Sequence, residues 1–362
     1  MDIGILVIDI NDYITGTEFD VDATSYMLEN RGYDVRQVVF ANAKTDLVQT
    51  VQYLKSFVQS VVVCGNVGAF CEAFSETYNL SPEQKVVEFD GVVYAFMPKY
   101  SKEFVIERII PALNSKSKTF YNTIVFKTFG KTEAELKEML KDQIKNKNRI
   151  SFRFTENYPE CTVKIKYSSK TSKPVVDSII ASSAEILQDI TYAHDDISLA
   201  AKVGETLKAK QKTLCIAESF TGGGVTNSLV KIDGISSVLK EGVVTYMNEA
   251  KIGRLNIDPS VIETYGAVSV ETVYEMAANI IMESNCDYSL ATTGNAGPTS
   301  EKDGEVGVCF IAVGTPQAVD IYKFKFDGSR EQVMDCGVKA ALFRLYKKLT
   351  EMPAASANQI TE

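Results

Sequence analysis

The chain has 362 residues, room for two or three packed units on a scale of roughly 100–200 residues per domain, and its 45% hydrophobic and 23% charged residues fall in the globular range. Lys plus Arg total 38 against 47 Asp plus Glu, a net charge of −9, so no global positive field is available to hold a nucleic acid. No window approaches the roughly 18 uninterrupted apolar residues that a membrane helix requires, so neither nucleic acid nor membrane is an expected partner.

The first 114 residues alternate strand and helix patterns. DIGILVIDI reads as a strand and DATSYMLENRGYDV as a helix stopped at Gly32. VRQVVFA is a second strand, and TDLVQTVQYLKSF a helix with Leu47, Val51 and Leu54 on one face. SVVVCG is a buried strand, and a helix from Lys102 to Leu113 closes the unit. Such alternation predicts a parallel sheet with helices on its faces. The polar stretch NSKSK marks a boundary, after which residues 115–183 read as a small α/β connecting subdomain and linker: strand 120–130, helix 131–145, strands 149–155 and 161–167, then Ser/Lys-rich YSSKTSKP. Residues 184–350 form the last α/β unit. There Asp195 or Asp196 is expected to cap a helix carrying Ile197, Ala201, Gly204 and Leu207 on one face. Strands are expected at 213–217, 241–246, 287–293, 306–314 and 318–326, and Ser269 caps the helix ETVYEMAANIIMES. Residues 351–362 are expected to fray as a tail.

The seven cysteines are scattered, odd in number and never form C-x-x-C, which fits buried thiols in a reducing compartment. The N-terminus has no basic stretch and no cleavage signal, so it reads as a first strand and the expected location is cytoplasmic. His194, the single histidine, sits between helical stretches beside two acids. Any Ser-His-Asp or Cys-His mechanism must run through it, so the base is sought among other residues.

Four segments can carry chemistry. In TLCIAESFTGGGVTNSL a strand stops at Ala217, Glu218-Ser219 follows, and Gly222 to Gly224 open the next helix. This edge can present Ser219 as a nucleophile, with the helix-start N–H groups holding an oxyanion or phosphate. It can equally be a packing turn with Ser219 as an N-cap. GVVTYMNEAKIGRL delivers Tyr246 to a strand end and Lys251 to the next helix, where a desolvated amine can take a serine proton or an exposed one can pair with Glu249. LATTGNAGPTSEKDGEVG is a ligand loop or an ordinary surface loop, with Thr293, Gly294, Asn295 and Gly297 able to meet a ligand. Arg330, in FDGSRE at a helix N-terminus, suits a phosphate or stands as a solvated charge.

Together AESFTGG, GVVTYMNEAK, GAVS (266–269), TTGNAGP and GSRE resemble, in this order and at this spacing, the C-terminal domain of the CinA (competence/damage-inducible) family across about 184–350. The resemblance implies a nicotinamide mononucleotide deamidase that forms nicotinic acid mononucleotide and ammonia without metal or other cofactor. It implies Ser219 as nucleophile and Tyr246 and Lys251 as its activating partners. Glu218, Thr221, Gly222, Gly223, Asn248, Thr293, Gly294, Asn295, Ala296, Gly297 and Arg330 are implied as substrate-binding residues. Relatives usually carry cysteine where Phe220 stands and isoleucine where Asn295 stands. A homodimer or higher homo-oligomer is likewise implied. The first domain is similar to the family's molybdopterin-binding-like domain, a metal-dependent ADP-ribose pyrophosphatase in some members. Here that site is depleted, with Phe70 in place of a hydroxyl residue and only Asp12 and Glu72 as acidic candidates for a metal. The alternatives are therefore a pyrophosphatase acting through the first domain, or a nucleotide-binding protein with no activity.

Overall fold

The computed structural model describes residues 2–9, 21–116, 121–145, 150–299 and 304–351. They form a mixed α/β structure with three sheets. By contact the chain divides into two compact units. The first comprises 1–124, 142–153 and 164–183; the second comprises 125–141, 154–163 and 184–362. Residues 115–183, expected as one connecting subdomain, are thus divided between the two.

The strands of the first unit are β1 (Asp2–Ile8), β2 (Asp34–Ala41), β3 (Ser60–Gly65), β4 (Val86–Phe89) and β5 (Val92–Met97), in the order β2-β1-β3-β5-β4. Of its four pairings, the three other than β4/β5 are parallel. The run Val61–Cys64 on β3 is buried because apolar clusters cover both sheet faces. Asp46 caps the helix Leu47–Lys55, whose Leu47, Val51 and Leu54 are buried as the periodicity predicts. The hairpin β4–β5 was not among the expected elements. Its turn, Asp90-Gly91, has both residues at positive φ (50° and 73°), the type I′ geometry for which Asp-Gly is a sequence signal. Phe70 is buried in the core and Glu72 is exposed. Asp12 lies outside the described residues, among which no group of three His, Cys, Asp or Glu is gathered as a metal site.

A four-stranded sheet follows, from β6 (Tyr121–Phe129), β7 (Ile150–Asn157), β8 (Glu160–Ser168) and β9 (Thr191–Ala193), in the order β7-β8-β6-β9. The Ser/Lys-rich stretch ends sooner than expected, because the next helix starts at Lys173 and runs to Leu187.

The sheet of the second unit has β10 (Leu214–Glu218), β11 (Leu239–Val244), β12 (Tyr288–Gly294), β13 (Val308–Gly314) and β14 (Val319–Lys325), ordered β11-β10-β12-β13-β14. β10 is parallel to β11 and β12, and β13 and β14 return antiparallel. Side chains alternate between two apolar layers. Leu214, Ile216, Leu290, Cys309 and Ile311 pack with the helices Leu199–Lys210, Gly224–Val230 and Arg330–Thr350. Cys215, Ala217, Ala291, Phe310 and Ala312 pack with residues of Asn248–Leu255, Pro259–Tyr265 and Val270–Ser284.

Ser198, not Asp195 or Asp196, caps the helix at Leu199: its hydroxyl accepts from the Ala201 N–H, and it directly precedes the first helical residue. Ser269 caps Val270–Ser284 as expected. His194 is exposed, with its ring edge-on to Phe126. All seven cysteines are buried and free. No helix among the described residues is long and apolar enough to cross a membrane.

Candidate active site

Three strand ends build the site. The Ser219 N–H donates to the Thr292 carbonyl on β12 at 3.0 Å, and the Thr245 N–H, just past β11, donates to the Glu218 carbonyl at 2.8 Å. These bonds hold the turn after β10 between its two neighbours. Gly222 and Gly223 follow with φ of +61° and +92°, a left-handed pair that admits a tight entry into the helix Gly224–Val230 and that a Cβ would strain. Gly223, not Ser219, is the N-cap.

Alternation then sends consecutive residues to opposite faces. Glu218 turns toward the helix Gly224–Val230 and is fully buried. Its carboxylate accepts from the N–H groups of Val225 (3.1 Å) and Thr226 (2.8 Å) and from the hydroxyls of Thr226 and Thr221 (2.7 Å each). The Thr221 hydroxyl also shares a hydrogen bond with that of Thr292. Glu218 and Thr221, expected to bind substrate, are therefore internal bracing. The expectation that this helix start meets a ligand is corrected for the same reason. Its N–H groups at 225 and 226 are held by Glu218, and those at 224 and 227 by the carbonyls of Thr221 and Gly223.

Ser219 faces the other way and meets Lys251. The lysine is 1% exposed and its Nζ lies 3.0 Å from the Ser219 Oγ, 2.8 Å from the Thr245 carbonyl and 3.0 Å from the Tyr246 carbonyl. It is not the exposed partner of Glu249 that the sequence also allowed. Both carbonyls can only accept, so they take N–H bonds, while the serine hydroxyl can donate or accept. In the neutral amine, two N–H bonds directed to these carbonyls leave the lone pair for the serine proton. After protonation the same carbonyls stabilise the ammonium.

The pair opens on a cleft of about 810 Å³. Of the expected residues, Ser219, Tyr246, Asn248, Lys251, Thr293, Gly294, Asn295, Ala296, Gly297 and Arg330 line it, whereas Glu218, Thr221, Gly222 and Gly223 do not. The Thr293 hydroxyl donates to the Ala267 carbonyl, fixing the loop before Ser269. The Asn295 side-chain oxygen accepts from the Gly297 N–H, shaping its own turn. Tyr246 was expected as an activating partner of the serine. Among the described residues its hydroxyl instead accepts from Arg330 at 2.6 Å, so its link to the pair is the carbonyl that holds Lys251. Arg330 also donates to the Gly297 carbonyl at 2.7 Å and so joins two rims of the cleft.

Phe310 and Lys323 line the cleft without having been singled out in the sequence. Phe220 is 3% exposed and forms part of the wall. A Cβ on Gly337 would lie 2.4 Å from the Phe220 Cζ. Gly337→Ala is therefore expected to cost about 1–3 kcal/mol of stability, read as a lower Tm, and to raise KM by pushing the ring into the cleft. The double variant Gly337→Ala/Phe220→Cys should recover most of the Tm, whereas additive losses would show that the ring and the helix do not collide.

The family model described as the CinA C-terminal domain matches residues 196–349. A CinA-like protein of Geotalea daltonii is 34% identical over 273 residues, 73% of this chain and 66% of that protein. One of Fervidobacterium nodosum is 30% identical over 289 residues, 79% of this chain and 70% of that protein. The chain thus spans just under two thirds of the length of the Geotalea relative. Among solved structures, competence damage-inducible protein A of Klebsiella pneumoniae is 30% identical over 43% of this chain and 97% of that one, with a TM-score of 0.42.

Proposed function

The chain belongs to the CinA family, and on that premise we propose that its second unit hydrolyses the carboxamide of nicotinamide mononucleotide to nicotinic acid mononucleotide and ammonia. The observation that carries the reading is the buried contact of Lys251 with Ser219 at the floor of a cleft large enough for a mononucleotide.

The chemistry needs only these two side chains and water. The Lys251 amine takes the Ser219 proton as Oγ attacks the carboxamide carbon. The resulting ammonium gives that proton to the departing nitrogen as the C–N bond breaks, releasing ammonia and leaving an acyl ester on Ser219. Water then attacks the ester with the same amine as base, which frees the carboxylate and restores the serine. The serine bonded to a buried amine, with His194 exposed on a different stretch of the unit, supports amine-based over imidazole-based activation.

The test is ammonia release from nicotinamide mononucleotide by the full chain. Because both protons move through Lys251, the rate is expected to be unchanged by EDTA. A rate abolished by chelation and restored by a divalent metal would sink the Ser-Lys reading. The rival reading, a pyrophosphatase acting through the first unit, predicts instead metal-dependent turnover of ADP-ribose that survives Ser219→Ala and collapses in Glu72→Ala.

A further inference from the structure

A basic residue of the cleft has no part in the steps above. The antiparallel register sets Lys323 on β14 opposite Phe310 on β13, and Phe310 opposite Thr293 on β12. The three therefore form a row on one sheet face, and all three line the cleft. The Lys323 Nζ stands 5.8 Å from the centre of the Phe310 ring, within cation–π reach, and the lysine is exposed while the ring is 8% exposed.

Of the other ionic groups lining the cleft, Lys251, Arg330 and Glu305 have protein partners, while Glu249 is exposed and has none among the described residues. Lys251 is inside with Ser219, and Arg330 bridges the Gly297 carbonyl and the Tyr246 hydroxyl. Glu305 is paired with Lys325, whose hydrogen bond is the main cause holding its carboxyl below the usual range; Lys323 adds to that from further off. Among the described residues Lys323 itself forms no ion pair. The helix start at Gly224 has its N–H groups occupied, and the chain as a whole is acidic, so an anionic ligand depends on a local cation.

The geometry points to Lys323 as the anion-binding residue of the cleft, holding a phosphomonoester as a point charge above the Phe310 ring, while Arg330 braces the rim. The identity of the substrate rests on the deamidase reading; the subsite requires only a phosphomonoester.

The experiment titrates ribose 5-phosphate, and ribose as control, into the full chain and into Lys323→Met and Lys323→Arg by calorimetry. Lys323→Met is expected to bind ribose 5-phosphate at least about tenfold more weakly than the parent and Lys323→Arg within about threefold, with an unchanged Tm since the residue is exposed. Equal affinity of Lys323→Met and parent, or no binding of ribose 5-phosphate to the parent, overturns the assignment. Ammonia release is measured in parallel. A parent that binds ribose 5-phosphate through Lys323 but releases no ammonia from nicotinamide mononucleotide loses the deamidase reading and keeps the anion site. A parent that releases ammonia while Lys323→Met binds ribose 5-phosphate normally loses the anion site alone.

Discussion

Ser219→Ala is expected to release ammonia from nicotinamide mononucleotide at least about 10³-fold more slowly than the parent, because the acyl intermediate then has no oxygen to form on. The loss should fall on kcat. Ser219 is 7% exposed and its side chain contributes one hydrogen bond to Lys251, which keeps the carbonyls of Thr245 and Tyr246 in the variant. The backbone bond from the 219 N–H to Thr292 also survives, so the turn stays in place and Tm should move by no more than a degree or two. Calorimetry on the variant should find the substrate still bound with affinity within a few-fold of the parent KM. Turnover retained at the parental rate would show that water attacks directly, with Lys251 as its base. The serine would then be a spectator.

The layered α/β arrangement of the second unit was legible because strand and cap signals agree there: Ser269 and the apolar runs LCIAE and VCFIAVG each point to the element observed. The meeting of Ser219 with Lys251 was legible from chemistry, since a chain with one histidine offers few other bases. What reading the motif as one unit hides is direction. Glu218 and Ser219 are neighbours in sequence yet lie on opposite sheet faces, as do Thr292 and Thr293, so half of each pair braces the fold and half lines the cleft. Phe310 and Lys323 carried no local signal at all. Their approach depends on the β13–β14 register, which is fixed by the turn between the strands and not by either residue's neighbours. In the first unit the Asp90-Gly91 turn did carry a signal, and the strands flanking it are short enough to pass for a loop.

Glu218→Ala is expected to cost stability and not substrate affinity. The carboxylate is fully buried and accepts four hydrogen bonds, two from backbone N–H groups in the first turn of a helix and two from threonine hydroxyls. Truncation leaves these donors in a space that no longer offers an acceptor. Each buried donor left unpaired costs about 1–3 kcal/mol, and partial relaxation brings the expected total to about 3–5 kcal/mol. At about 2–4 °C per kcal/mol for a unit of this size, Tm should fall by roughly 10 °C. Glu218→Gln keeps the volume but turns an NH₂ group toward donors, so it should recover little of the loss, whereas a purely steric role would be rescued by it. Below the new transition the folded fraction should keep its KM, because the Glu218 side chain points away from the cleft while Ser219 points into it. A variant with the parental Tm and a raised KM would reverse the assignment, making Glu218 a substrate ligand and the alternation across the strand end a poor guide to this site.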